Sequence, residues 1–249
     1  MSYRLKCIVT YDGTHFYGFQ RQKKGRTIQG EIEKALSKIH KSPVEIQASG
    51  RTDSGVHAIN QVFHFDTTLI IETPNWKKAI NSILPKDIYI KSVEKISQQF
   101  HARYHVTVKE YRYYLSLDEY NPLHANYTCF SKRSTMDIEL MKKAIKLLEG
   151  THDFKLFTSG NDRRYTIRTI FEATINRKGQ KIEIIFRGNG FLRYQVRVMV
   201  GTLMEIGEGR RHIDTIKDLF GLKENCRPGR TAEPQGLYLY QVNYENVDI

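Results

Sequence analysis

A chain of 249 residues is long enough for one large domain or two of ordinary size, and it buries a sizeable core without disulfides or structural metals. Its formal charge of +12 favours a polyanionic partner, nucleic acid first among them. The three cysteines are scattered without CxxC spacing, no apolar run approaches the roughly 18 residues of a membrane span, and the N-terminus lacks a signal peptide's apolar core. The expectation is a cytoplasmic protein with reduced thiols and no membrane association.

Leu5, Cys7, Val9 and Tyr11 alternate with polar residues and predict a strand. Thr27 is placed to cap a helix whose apolar face is Ile28, Ile32, Leu36 and Ile39. Strands are expected at Val44–Ala48 and Gln61–Phe65, separated by the Gly- and Ser-containing loop Ser49–Gly55. Thr73-Pro74 reads as a cap residue followed by Pro in the first helical position, with Trp76, Ala79, Ile80 and Ile83 turned inward and Pro85 as the stop. A strand at Ile88–Val93 completes the order βαββαβ. The remainder repeats it loosely: a strand at Val106–Leu117, a helix at Asp137–Glu149 stopped by Gly150, and a hairpin of Thr166–Asn176 with Lys181–Arg187. Helices at Leu192–Ile206 and Ile213–Phe220 and a strand at Leu237–Tyr244 follow. This predicts an α+β protein of two tandem ferredoxin-like halves with a mainly antiparallel mixed sheet and flanking helices. The halves divide at Phe100–Tyr104, giving residues 1–104 and 105–249.

Three segments carry chemistry. In Ala48–His57, two glycines bracket a loop that holds Arg51 and Asp53. A guanidinium near a carboxylate keeps it ionised and oriented, as a nucleophile or base requires. Asp-Ser-Gly is equally a common turn in which Asp binds its own backbone. In Val108–Tyr114, Tyr111 and Tyr113 share one strand face, where a tyrosine could stack on an extruded base or simply pack half-buried. Gly188–Arg197 begins as GxG, but Arg193 replaces the third glycine and the preceding strand belongs to a hairpin, so the dinucleotide reading fails. What is left there is a helix with Arg193 and Arg197 one turn apart on one face. His57 and His64 fall on opposite strand faces, and no HExxH, Cys cluster or P-loop appears, so neither a metal nor a nucleotide cofactor is expected.

Six ordered segments together resemble the bacterial tRNA pseudouridine synthase A family along nearly the whole chain. They are YDGTHFYGFQRQ (Tyr11–Gln22), ASGRTDSGVHAINQVFHF (Ala48–Phe65), FHARY (Phe100–Tyr104), KEYRYYL (Lys109–Leu115), GNGFLRYQVRVMVGTL (Gly188–Leu203) and EPQGLYL (Glu233–Leu239). The resemblance implies a pseudouridine synthase fold and isomerisation of uridine without any cofactor, at positions 38, 39 and 40 of the tRNA anticodon stem-loop, by a homodimer. It places the catalytic nucleophile on Asp53 and the pocket tyrosine on Tyr111. The base-displacing arginine falls on Arg51, the basic residue beside the carboxylate on Arg197, and an aliphatic pocket residue on Leu237. The first half would carry the aspartate loop and the second would complete an RNA-binding cleft. FLRYQVR departs from family variants with His at its middle positions, which leaves Arg193 and Tyr194 without assigned roles. The alternatives are the same chemistry on another structured RNA such as rRNA, a non-catalytic RNA-binding paralogue, and an acid-base hydrolase using Asp53 with His57.

Overall fold

The computed structural model describes residues 2–158 and 165–245. The chain forms two compact units, one of the described residues up to Thr107 together with those from Tyr238 onward, the other Val108–Leu237. The sequence reading placed the closing strand with residues 105–249. It groups with the first unit instead, because Tyr238 and Leu239 pair in parallel with His57 and Ala58.

In the first unit, β1 (Tyr3–Tyr11) buries Leu5, Cys7, Val9 and Tyr11 on one face, as their alternation requires. α1 (Ile28–His40) starts where Thr27 Oγ1 accepts the Gly30 N–H at 3.3 Å, and it lays Ile28, Ile32 and Leu36 inward. β2 is only Gln47–Ala48, shorter than the expected Val44–Ala48. The amides before it are spoken for by α1 side chains: Val44 N–H donates to Ser37 Oγ and Ile46 N–H to the buried Glu33 carboxylate. β3 (His57–Thr67) is longer than expected and is buried on both faces along much of its length. α2 (Thr73–Ile83) is capped by Glu72 without a side-chain bond, which makes Thr73 the first helical residue and corrects its expected role as the cap. β4 is Ile88–Ile96. The strand order is β4-β1-β3-β2 with every neighbour antiparallel, the split βαβ arrangement that the element order predicts. The far edge of β3 is shared, with β2 on Phe63 and His64 and the closing strand on His57 and Ala58.

In the second unit, β5 (Val106–Ser116) pairs with β6 (Cys129–Phe130) in parallel. α3 (Ile138–Lys146) is capped by Asp137, which accepts the Leu140 N–H at 2.8 Å, and it buries Ile138, Met141 and Ile145. After α3 comes β7 (Gly150–Asp153), then the hairpin of β8 (Ile167–Lys178) and β9 (Lys181–Gly188). The strand order is β6-β5-β9-β8-β7. β6 and β7 have two and four residues, too short for a period to show in sequence. α4 (Gln195–Gly207) is buried nearly all round. It starts three residues later than expected, because Tyr194 adopts a left-handed backbone (φ 62°) that a helix cannot include. Arg193 therefore precedes the helix and does not share a helical face with Arg197. α5 is Thr215–Phe220, and β10 (Leu237–Tyr244) closes the fold.

Candidate active site

The loop between β2 and β3 is fixed at both ends before it presents Asp53. Ser49 N–H donates to Val62 O at 2.8 Å, and the fully buried Gln61 donates through Nε2 to Gly50 O at 3.0 Å. Thr52 is buried, and its hydroxyl lies 2.8 Å from the hydroxyl of Tyr11. Burial pushes that phenol well above its ordinary pKa, so it remains protonated. Val56 N–H then donates to Asp53 O at 3.2 Å and closes the turn at Gly55, whose φ of 77° suits glycine. Asp53 is half-buried and Arg51, on the same loop, is exposed.

The segment after β1 forms a shelf beneath this loop. Phe16 O accepts both the Ser54 hydroxyl at 3.0 Å and the Gly55 N–H at 3.3 Å, and Phe19 N–H donates to Thr52 O at 3.1 Å. Gly18 (φ 91°) is required at this approach, since a Cβ would sit 2.8 Å from Thr52 O. Gly13 is packed tighter still, its virtual Cβ 2.0 Å from Val56 O.

A second carboxylate, Asp12, stands on the shelf. Its Oδ1 accepts the Thr14 N–H at 3.0 Å and the Thr14 hydroxyl at 2.5 Å, which is the work of a loop-tying aspartate. Oδ1 also lies 3.3 Å from Nδ1 of the buried His57. That nitrogen also accepts the Gly13 N–H at 3.0 Å, which ties the ring to the main chain at the foot of the loop. With Nδ1 engaged by the main chain and the ring stacked on Tyr238, His57 supports the loop.

The second unit holds the other candidates. Tyr111 is buried on β5 opposite Phe186, and its ring meets Phe191 edge-on at 5.2 Å. Phe191 was not singled out from sequence; its place directly after GNG was the available signal. Arg197 donates through Nε to Ala232 O at 2.7 Å, and Ala232 N–H donates back to Arg197 O at 3.0 Å. The guanidiniums of Arg193 and Arg197 both lie over the Tyr194 ring, at 4.8 and 5.4 Å. One aromatic ring, and not a helical turn, therefore gathers the two arginines. From Ala232 the chain reaches Glu233, whose carbonyl accepts the hydroxyl of buried Tyr113 at 3.0 Å, and then buried Leu237. Arg51 and Asp53 are thus brought onto one loop of the first unit, and Tyr111, Arg197 and Leu237 into the frame of the second. Among the described residues, no group of three His, Cys, Asp or Glu is placed to hold a metal ion, and no helix is long and apolar enough to cross a membrane.

Comparison with known proteins gives the family. A family model described as tRNA pseudouridine synthase matches residues 7–105 and 144–245. The tRNA pseudouridine synthase A of Geobacillus sp. (strain WCH70) is 46% identical over 99% of this chain and 100% of its own length. That of Oceanobacillus iheyensis is 47% identical over 97% of each chain. The chain belongs to the bacterial tRNA pseudouridine synthase A family and is a pseudouridine synthase, an isomerase acting on tRNA.

Proposed function

We propose that Asp53 is the carboxylate that reacts with the target uridine, and that the targets are positions 38, 39 and 40 of the anticodon stem-loop. The observation that carries this reading is a half-buried carboxylate on a turn whose backbone is held from both sides by main-chain hydrogen bonds. The reaction breaks the N1–C1′ bond, turns the base and joins C5 to C1′. The C5 proton leaves to water and N1 gains one, so no oxidant, reductant or energy source enters the balance. Asp53 acts as an ionised group at C1′, at the base or at a ribose proton, and each role needs an oriented carboxylate shielded from bulk water.

Tyr111 is the stacking face for the extruded base in this reading, kept square by Phe191. Arg51, exposed on the loop tip, guides the base out of its stack, a displacement that costs a few kcal/mol. Arg197, oriented by Ala232 and Tyr194, is the basic residue that acts with the carboxylate in this reading, and Leu237 is the aliphatic pocket residue. We further propose a cytoplasmic homodimer, in which two basic surfaces grip one folded RNA.

The test uses unmodified tRNA transcripts tritiated at uridine C5. Tritium release is expected from the wild type and none from Asp53→Asn. Asp12→Asn keeps the oxygen that Thr14 needs and is expected to retain activity. Loss of release in Asp12→Asn with retention in Asp53→Asn would exchange the two roles. Release from rRNA alone would keep the chemistry and move the substrate.

A further inference from the structure

The shelf beneath the Asp53 loop is itself closed by a charged pair that the reaction does not use. The chain leaves β1 at Asp12 and returns to α1 at Arg26, and Asp87 meets both ends. Its carbonyl accepts the Asp12 N–H at 3.0 Å, and its carboxylate takes the Arg26 guanidinium in a two-pronged bond of 2.6 and 2.9 Å. Arg26 Nε is held by Glu31 at 3.1 Å, so all three guanidinium nitrogens are engaged. The same guanidinium lies 4.1 Å above the ring of Phe16, the residue whose carbonyl accepts Ser54 and Gly55.

Two rows of hydrogen bonds carry this arrangement toward the loop. In the first row, Tyr17 N–H donates to Arg26 O at 2.9 Å, Ile28 N–H to Gly18 O at 3.3 Å and Gln29 N–H to Phe19 O at 2.9 Å. The second row is the set from Phe16 and Phe19 to Thr52, Ser54 and Gly55 described above. Residues 16–19 are therefore a ribbon laced to 26–29 on one side and to 52–55 on the other. These bonds are a continuous path by which a displacement at Arg26 is passed to the turn that holds Asp53.

We propose that Arg26 and Asp87 form a clasp that closes the 12–26 excursion and so positions the Asp53 carboxylate for the reaction. Arg26 and Asp87 are positioning residues, and the proposal rests on the reading of Asp53 as the reacting group. A phosphate contact by Arg26 is the competing role. Its side chain is about one third exposed, but both carboxylates neutralise it and no guanidinium nitrogen is left unengaged.

The test compares Arg26→Lys, which keeps the charge but loses the fork and the planar stack, with Asp87→Asn. Each is expected to lower kcat by about tenfold or more, because small displacements at a reacting group are costly, while KM for tRNA changes by less than about twofold. The double variant is expected to be no slower than the slower single variant, since both break one device. Wild-type kcat in both variants would overturn the clasp. So would a raised KM at unchanged kcat, which marks an RNA contact, or kcat losses that multiply in the double variant. If Arg26→Lys does not fold, Asp87→Asn decides by the same criteria; loss of folding in both overturns positioning in favour of plain stability. Asp53→Asn is the control: if it isomerises at the wild-type rate the underlying reading fails, whereas an inactive Asp53→Asn beside unaffected clasp variants sinks the clasp alone.

Discussion

Asp12 and Asp53 lie on the two segments that the shelf and the loop of the first unit lace together, and their oxygens serve different hydrogen bonds. Asp12 spends an oxygen on the two donors of Thr14, and at Asp53 the main-chain carbonyl accepts the Val56 N–H that closes the turn. Among the histidines the same logic separates support from chemistry. His64 is buried on β3, and its Nδ1 accepts the Ala102 N–H at 3.2 Å. Burial first, and then the nearby Arg4 charge, lower its pKa from 6.5 to about 4. The folded chain thus refuses a proton that the unfolded chain accepts below pH 6.5. Stability is full above that value and is lost as pH falls from 6.5 toward about 4. Urea unfolding across this window should show the slope, and His64→Gln, which still offers the amide an acceptor, should flatten it. An identical slope in the variant would remove His64 as the cause.

At the scale of elements, α4 combines an apolar surface on all sides with a backbone that another segment touches. Gly201 faces the Arg230 carbonyl, and a Cβ there would lie 1.7 Å from that oxygen. In an isolated helix Gly→Ala stabilises by about 1 kcal/mol, but here the clash is with main chain that cannot rotate away. Gly201→Ala is therefore expected to destabilise, by about 1–3 kcal/mol as overpacked sites do. It should also displace the stretch Arg230–Ala232, which holds Arg197 through paired bonds. The expected result is a lower melting temperature together with a lower kcat, and a Gly201→Ala protein that melts at or above the wild type would contradict it. Periodicity revealed that α4 exists and that it is apolar. Its start was not legible, because the left-handed backbone of Tyr194 breaks the helix without a proline or glycine to announce it.

For the whole molecule, the formal charge of +12 sets the ionic character of tRNA binding. Each phosphate contact adds a slope of about −0.7 to −0.9 to the dependence of log affinity on log salt. Affinity for tRNA should fall by roughly tenfold or more between 50 and 200 mM salt if several contacts form, as filter binding or fluorescence titration would measure. A flat response would show that the positive charge is not directed at the RNA. Division of the chain into units was only partly legible. The βαββαβ order of the first unit followed from alternation and helical stripes, but the return of β10 to β3 is a pairing between residues far apart in sequence.

By itself the sequence determined the family, through six ordered segments centred on GRTDSGVHA, and the elements whose apolar residues repeat over several turns or several alternations. Those are properties of neighbouring residues, which local geometry converts into patterns. Only the tertiary structure decided that Asp12 ties a loop, that Tyr194 gathers two arginines, and that Arg26 and Asp87 close the shelf. Each of these depends on which distant residue supplies a hydrogen-bond partner or a ring face. Folding selects those partners by burying the surrounding chain, and no spacing along the sequence encodes them.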